Sequence, residues 1–169
     1  MNQMTGQKKN LKIDMRIVVT LALALGLLMS SCSKDSGCKN VPPSEEDATL
    51  VAYNTSHSIT AVKHTNGMYY QIINPGSASR PKGTSTIYVT YTGKKLDDTV
   101  FDQATNPGAT GFNMSQLIQA WQVALPMIGP GGRILITVPS SLGYGCQGSG
   151  TSIAANTPLF FDITLVAFH

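Results

Sequence analysis

Ser115-Gln116-Leu117-Ile118-Gln119-Ala120-Trp121-Gln122-Val123-Ala124-Leu125 is the stretch on which the fold turns. Leu117, Ile118, Trp121 and Leu125 recur at intervals of one, three and four residues, which gathers them on one helix face, and Ser115 suits the N-cap. On either side the period changes to two. Upstream, Thr86 to Thr92 sets Ile87, Val89 and Tyr91 against Thr86, Tyr88 and Thr90, the alternation of a half-buried strand. Met68 to Ile73 reads as a strand ended by Asn74-Pro75-Gly76, and Val100-Phe101-Asp102 as a short one. Downstream, Arg133 to Pro139 and Leu159 to Phe168 are strands separated by a long Gly/Ser/Ala loop, Ser140 to Asn156. Strands, one helix and strands again predict an α+β fold, an antiparallel sheet wrapped on a single short helix.

Seven aromatic residues mark where such a fold would bind something. Tyr91, Phe101, Phe112, Trp121, Tyr144, Phe160 and Phe161 mostly stand at the ends of apolar runs, beside turn residues. Aromatics at strand mouths build concave apolar pockets, and the only tryptophan is available for the floor. Such a site grips an apolar group; it does not coordinate a metal. His57, His64 and His169 are scattered in polar surroundings and read as surface residues, and no Cys/His cluster has metal-ligand spacing. On local pattern alone Trp121 could be plain core, Asp102 a turn cap and Tyr144 a loop tyrosine.

The N-terminal third predicts where the domain works. Lys8, Lys9, Lys12 and Arg16 precede an apolar run from Ile17 to Met29. About thirteen residues is too short for a bilayer span, which needs about twenty, but fits an export signal. Met29-Ser30-Ser31-Cys32 resembles a bacterial lipoprotein cleavage box, with methionine where leucine is usual. Residues 1–31 are therefore expected to be a signal peptide and Cys32 the lipidated residue. Residues 32–43 are expected to be a flexible tether, 44–66 an extension opening on a helix capped by Ser44, and 67–169 the functional domain. Twelve basic and nine acidic side chains become eight of each once the first thirty-one residues are removed. A neutral domain has no electrostatic footprint for nucleic acid. Cys38 and Cys146 are then left over; their spacing does not demand a bond, and two free thiols are the favoured expectation.

Read together, the motifs are familiar. Val89-Thr90-Tyr91-Thr92-Gly93, Val100-Phe101-Asp102, Leu117-Ile118 with Trp121, Leu142-Gly143-Tyr144-Gly145, and Ile153 with Leu159 and Phe161-Asp162 follow one another in order. In order and approximate spacing this series resembles the FKBP-type peptidyl-prolyl cis-trans isomerases, over about residues 84 to 168. The resemblance implies a twisted antiparallel sheet of five or six strands around one short helix. It places Trp121 on a pocket floor, with Tyr91, Phe101 and Phe161 as walls and Leu117, Ile118 and Ile153 alongside. It gives Phe112 the place of a second pocket phenylalanine, and Asp102 and Tyr144 the polar rim. The main-chain N–H of Ile118 and the hydroxyl of Tyr144 would donate to ligand carbonyls.

Four features depart from the family pattern. Ala120 and Ala124 replace glycines flanking the tryptophan, and the Phe112–Leu117 stretch is about two residues short. The Gln103–Gly111 loop lacks a basic residue, and Ala154-Ala155 replaces a proline-rich segment. These bear on efficiency and sequence preference more than on fold. The implied activity is isomerisation of Xaa-Pro bonds in exported proteins, needing no cofactor. Its partners would be proline-containing polypeptides and, through Cys32, a membrane of the bacterial cell envelope; a monomer is expected. The alternative is a peptide-binding chaperone or assembly module with little turnover.

Overall fold

The longest strands are those whose two faces have different work. In β7 (Leu159–Phe168), Leu159, Phe161, Ile163 and Leu165 point into one core, while Phe160, Asp162 and Thr164 occupy the other face. β3 (Thr86–Lys95) buries Ile87 and Val89 on the same side as that core. A computed structural model describes residues 37–106 and 111–169, and Cys38–His169 forms one compact unit. The expected signal peptide, residues 1–31, and Cys32 lie outside the described residues.

The remaining elements are helix α1 (Pro43–Ser56), strands β1 (Val62–Lys63), β2 (Tyr69–Asn74), β4 (Val100–Ala104) and β5 (Phe112–Asn113), helix α2 (Gln119–Ala124) and strand β6 (Arg133–Val138). All pairs are antiparallel, in the order β1-β2-β6-β7-β3-β4, with β5 added on β3. The sheet thus has seven strands where five or six are expected, the additions being the two-residue strands β1 and β5.

The central helix is shorter than the periodicity predicts. Leu117 and Ile118 are extended, with ψ 163° and 149°, so α2 begins only at Gln119 and spans six residues. Ser115 does not cap it. Asn113 Oδ1 accepts from the Ser115 N–H (3.0 Å) and hydroxyl (2.7 Å), starting a 3-10 turn over Met114–Gln116. Pro126 ends the regular helix in a second 3-10 turn, Leu125–Met127, because a prolyl ring cannot continue the ladder. Ala120, Trp121, Ala124 and Leu125 still bury together against Met68, Ile134, Ile136 and Ile163.

On the opposite face lies α1, which starts at Pro43 with no side-chain cap, so Ser44 does not play the role expected of it. The helix also runs through the Ser/Thr-rich stretch to Ser56, because it docks on the sheet. Leu50 is fully buried, and Tyr53 packs on Phe160 at 5.4 Å. Polar bonds complete the dock. Thr137 Oγ1 donates to Asn54 Oδ1 at 2.5 Å, and Tyr69 donates to Asp47 at 2.8 Å, where Lys63 also pairs. Cys38 is disulfide-bonded to Cys146, contrary to the free thiols expected, so the segment from Cys38 onward is fastened to the domain.

Candidate functional site

The site grows out of Tyr91-Thr92-Gly93 at the end of β3. Gly93 lies in register between Asp102 on β4 and Phe161 on β7. A Cβ there would stand 2.8 Å from Phe101 Cζ and 3.0 Å from Phe161 Cε1, so the glycine is what lets the two rings close over the strand. Phe101 meets Phe161 edge to face at 5.7 Å and 88°. Phe161 in turn meets the Trp121 indole at 5.5 Å and 85°, and Tyr91 meets it from another side at 5.0 Å and 86°. Phe112 adds a fourth wall against Tyr91 at 6.4 Å. Perpendicular aromatic contacts of this kind fix ring orientation as well as burying area.

These rings enclose a cavity of about 190 Å³. Trp121, Tyr91, Phe112 and Phe161 line it with Leu117, Ile118, Asp102, Tyr144 and Gln116. Eight of the ten pocket residues read from sequence therefore meet at one place. The other two stand behind the lining: Phe101 backs Phe161, and Ile153, 4% exposed, belongs to the core and is fixed by paired backbone bonds with Ser149. Gln116 was not anticipated. It sits where the expected helix would show a solvated face, and only the extended turn at Leu117 brings it to the cavity. That turn is locked by Gln122, whose Nε2 donates to Leu117 O at 2.7 Å.

Three polar groups face this apolar lining. The Tyr91 hydroxyl donates to Asp102 Oδ2 at 2.6 Å. Burial, and then that bond to the carboxylate, push the Tyr91 phenol well above its ordinary pKa. Burial and then the Asp102 charge also raise Tyr144. Both hydroxyls are therefore protonated donors at neutral pH. Tyr144 has no hydrogen-bond partner among the described residues, and neither does the N–H of Ile118, whose carbonyl accepts from Trp121 N–H at 3.0 Å. Two unspent donors beside an aromatic cup suit a carbonyl-bearing apolar ligand. Among the described residues no group of His, Cys, Asp and Glu could hold a metal ion. A second hollow, of about 310 Å³, opens over Thr90, Thr92 and Thr164 beside the bidentate Arg133–Asp162 pair, and is mainly polar, with Tyr91 its one aromatic ring among the described residues.

Known proteins resemble this chain in sequence and in fold. The sequence pattern described as FKBP-type peptidyl-prolyl cis-trans isomerase matches residues 77–166, more than half of the chain. A probable FKBP-type peptidyl-prolyl cis-trans isomerase of Haemophilus influenzae is 36% identical over 102 residues, 60% of this chain and 42% of that one. The outer membrane protein MIP of Legionella longbeachae is 34% identical over 122 residues, 72% of this chain and 52% of that one. The chain thus spans about two fifths to just over half of the relatives it matches. In three dimensions it resembles FkpA from Escherichia coli, with a TM-score of 0.65 and 26% identity, over 93% of this chain and 74% of that one. A peptidyl-prolyl cis-trans isomerase from Pseudomonas syringae superposes with a TM-score of 0.63 and 26% identity, over 77% of this chain and 98% of that one. With pattern, sequence relatives and fold in agreement, the chain belongs to the FKBP-type peptidyl-prolyl cis-trans isomerase family.

Proposed function

We propose that the protein catalyses cis–trans isomerisation of Xaa-Pro bonds in exported polypeptides. Rotating that amide loses C–N resonance against a barrier of about 18–20 kcal/mol. No acid, base or nucleophile is required. The twisted amide is less dipolar than the planar one, so moving it out of water lowers the barrier, and binding the twisted form more tightly than either planar form lowers it further. The prolyl ring would sit on Trp121 between Tyr91, Phe112 and Phe161. The Ile118 N–H and Tyr144 hydroxyl would take the carbonyls, and Asp102, held by Tyr91, would orient the rim.

One observation carries this reading: two donors without partners among the described residues stand beside a cup of perpendicular aromatic rings. Isomerisation of a proline peptide by Asp102→Ala and Tyr144→Phe proteins tests it. Each is expected to lose rate while refolding of clients not limited by proline is unaffected. Wild type and both variants equally inactive, yet all suppressing aggregation, would replace the enzyme by a peptide-binding chaperone.

The compartment belongs to the same proposal. The basic and apolar N-terminal stretch with Cys32 supports a lipid-anchored envelope protein, and the Cys38–Cys146 bond suits an oxidising location. Labelling with a lipid precursor, compared between wild type and Cys32→Ser, tests the anchor.

A further inference from the structure

We propose that the segment Cys38–Glu46, outside the residues that match the family pattern, is the positioning element for Tyr144. The role of Tyr144 rests on the isomerase reading; the way it is held does not. Tyr144 stands in the Ser140–Asn156 loop, which contributes no strand to the sheet, and its only bridge, Ser149 with Ile153, lies beyond the tyrosine. The same N-terminal segment fastens this loop on both sides of Tyr144. Four residues before it, the buried Ser140 N–H donates to Glu46 Oε2 at 2.7 Å. Two residues after it, Cys146 is bonded to Cys38, and its N–H donates to Asn40 Oδ1 at 2.8 Å. Asn40 also packs on Gly145, whose φ of +55° and lack of a Cβ leave room for the amide. Farther along, Asn156 Nδ2 donates to Lys39 O at 3.2 Å, and the Asn156 N–H returns to Gly145 O at 2.8 Å.

The ties converge instead of spreading. β6 and β7 already pair through six registered positions, so the sheet is complete without them. They meet around Tyr144, the one side chain of the Ser140–Asn156 loop that lines the cavity. Glu46, only 8% exposed, gives up most of its hydration to hold a single backbone N–H of that loop.

The test uses the full chain. Cys38→Ser with Cys146→Ser removes the covalent tie. Glu46→Ala removes the acceptor for Ser140, whereas Glu46→Gln keeps a carbonyl oxygen there. Each is made in wild type and in a Tyr144→Phe background. Two quantities are read: kcat/KM on an Xaa-Pro peptide, and amide hydrogen exchange over residues 140–148 against β6 and β7. Loss of either tie is expected to lower kcat/KM roughly tenfold with Tyr144 present and less than about twofold in the Tyr144→Phe background, the non-additivity of coupled groups. Glu46→Gln is expected to stay near wild type. Exchange in the loop should rise while the strands stay protected. Equal losses in both backgrounds would reduce the segment to plain stabilisation, and unchanged loop exchange would overturn the proposal. A wild type that does not isomerise would defeat the functional reading alone; how the loop is held would then stand only if losing the ties raises exchange at residues 143–145 well beyond any change in β6 and β7, and would fall otherwise.

Discussion

Asp102 and Tyr144 face one cavity from supports of opposite kinds. Asp102 rides on β4, in register with Gly93, within a main-chain ladder, and its carboxylate is met by Tyr91 from the neighbouring strand. Tyr144 stands in a loop whose anchors are a carboxylate, an amide and a sulfur from residues about a hundred positions earlier. The strand side is built by local pairing and should respond to packing. The loop side is built by distant side chains and should respond to redox state and to truncation of the N-terminal segment.

The largest difference is expected on reduction. The Cys38–Cys146 bond spans 108 residues, and losing a disulfide that closes so long a loop costs about 2–5 kcal/mol. Thermal unfolding with and without a dithiol should show a fall of several degrees, with amide protection falling more in the Ser140–Asn156 loop than in β3 and β4; an unmoved midpoint would mean that the loop side does not need its staple. Next in size is Gly93→Ala, which strikes the strand side. Its Cβ would crowd Phe101 and Phe161, and overpacking of this kind costs about 1–3 kcal/mol. Denaturant unfolding measures that cost, and fluorescence of Trp121, the chain's only tryptophan, should shift as Phe161 moves. A neutral substitution would show that the rings do not need the glycine.

Smaller still is Tyr91→Phe, which removes the donor to Asp102 and leaves the ring wall in place. About 1 kcal/mol, or roughly fivefold in kcat/KM, is expected from one hydrogen bond. No change would remove Asp102 orientation from the mechanism. The smallest effect concerns the turn before β4. Asp98 there meets His57 Nε2 at 3.0 Å and Tyr53 at 3.3 Å, with Lys94 beside it. The Tyr53 carbonyl and then the Asp98 carboxylate raise His57, although Lys94 opposes this, and His57 lowers Asp98. A raised histidine contributes fully below its unfolded pKa of about 6.5 and less as pH rises through its folded value. A lowered aspartate contributes above its ordinary range and loses that contribution as pH falls through its folded value. The contact should therefore be tightest in mildly acidic solution and slacken above neutrality. Amide exchange of Asp98 and Thr99, corrected for the intrinsic pH dependence, should reveal it, and a flat profile would dismiss the pair; for an exposed contact the change is slight.

Legibility in the sequence followed the same division. β3, β6 and β7 were readable because alternation is a local property, and Trp121, Tyr91 and Phe161 because their neighbours carry recognisable patterns. The extent of α2 was not. Leu117 and Ile118 have helical spacing, but both are extended, and Gln122 binds the Leu117 carbonyl. The docking of α1 was equally hidden. Glu46 and Asn54 look like solvated residues until partners 94 and 83 positions away are placed beside them. Nor did the cysteine spacing point to a bond, since two half-cystines 108 residues apart are brought together only by the finished fold. Residues that act through main-chain periodicity announce themselves; residues that act through one distant partner do not.

The most direct test of the aromatic cup as an isomerase site is the cis-to-trans rate of a short Xaa-Pro peptide with the full chain, with and without a macrolide inhibitor of the family. Acceleration that the inhibitor abolishes is expected, with quenching or enhancement of Trp121 fluorescence on inhibitor binding. A folded protein that gives no acceleration would contradict the assignment of isomerase activity to this site.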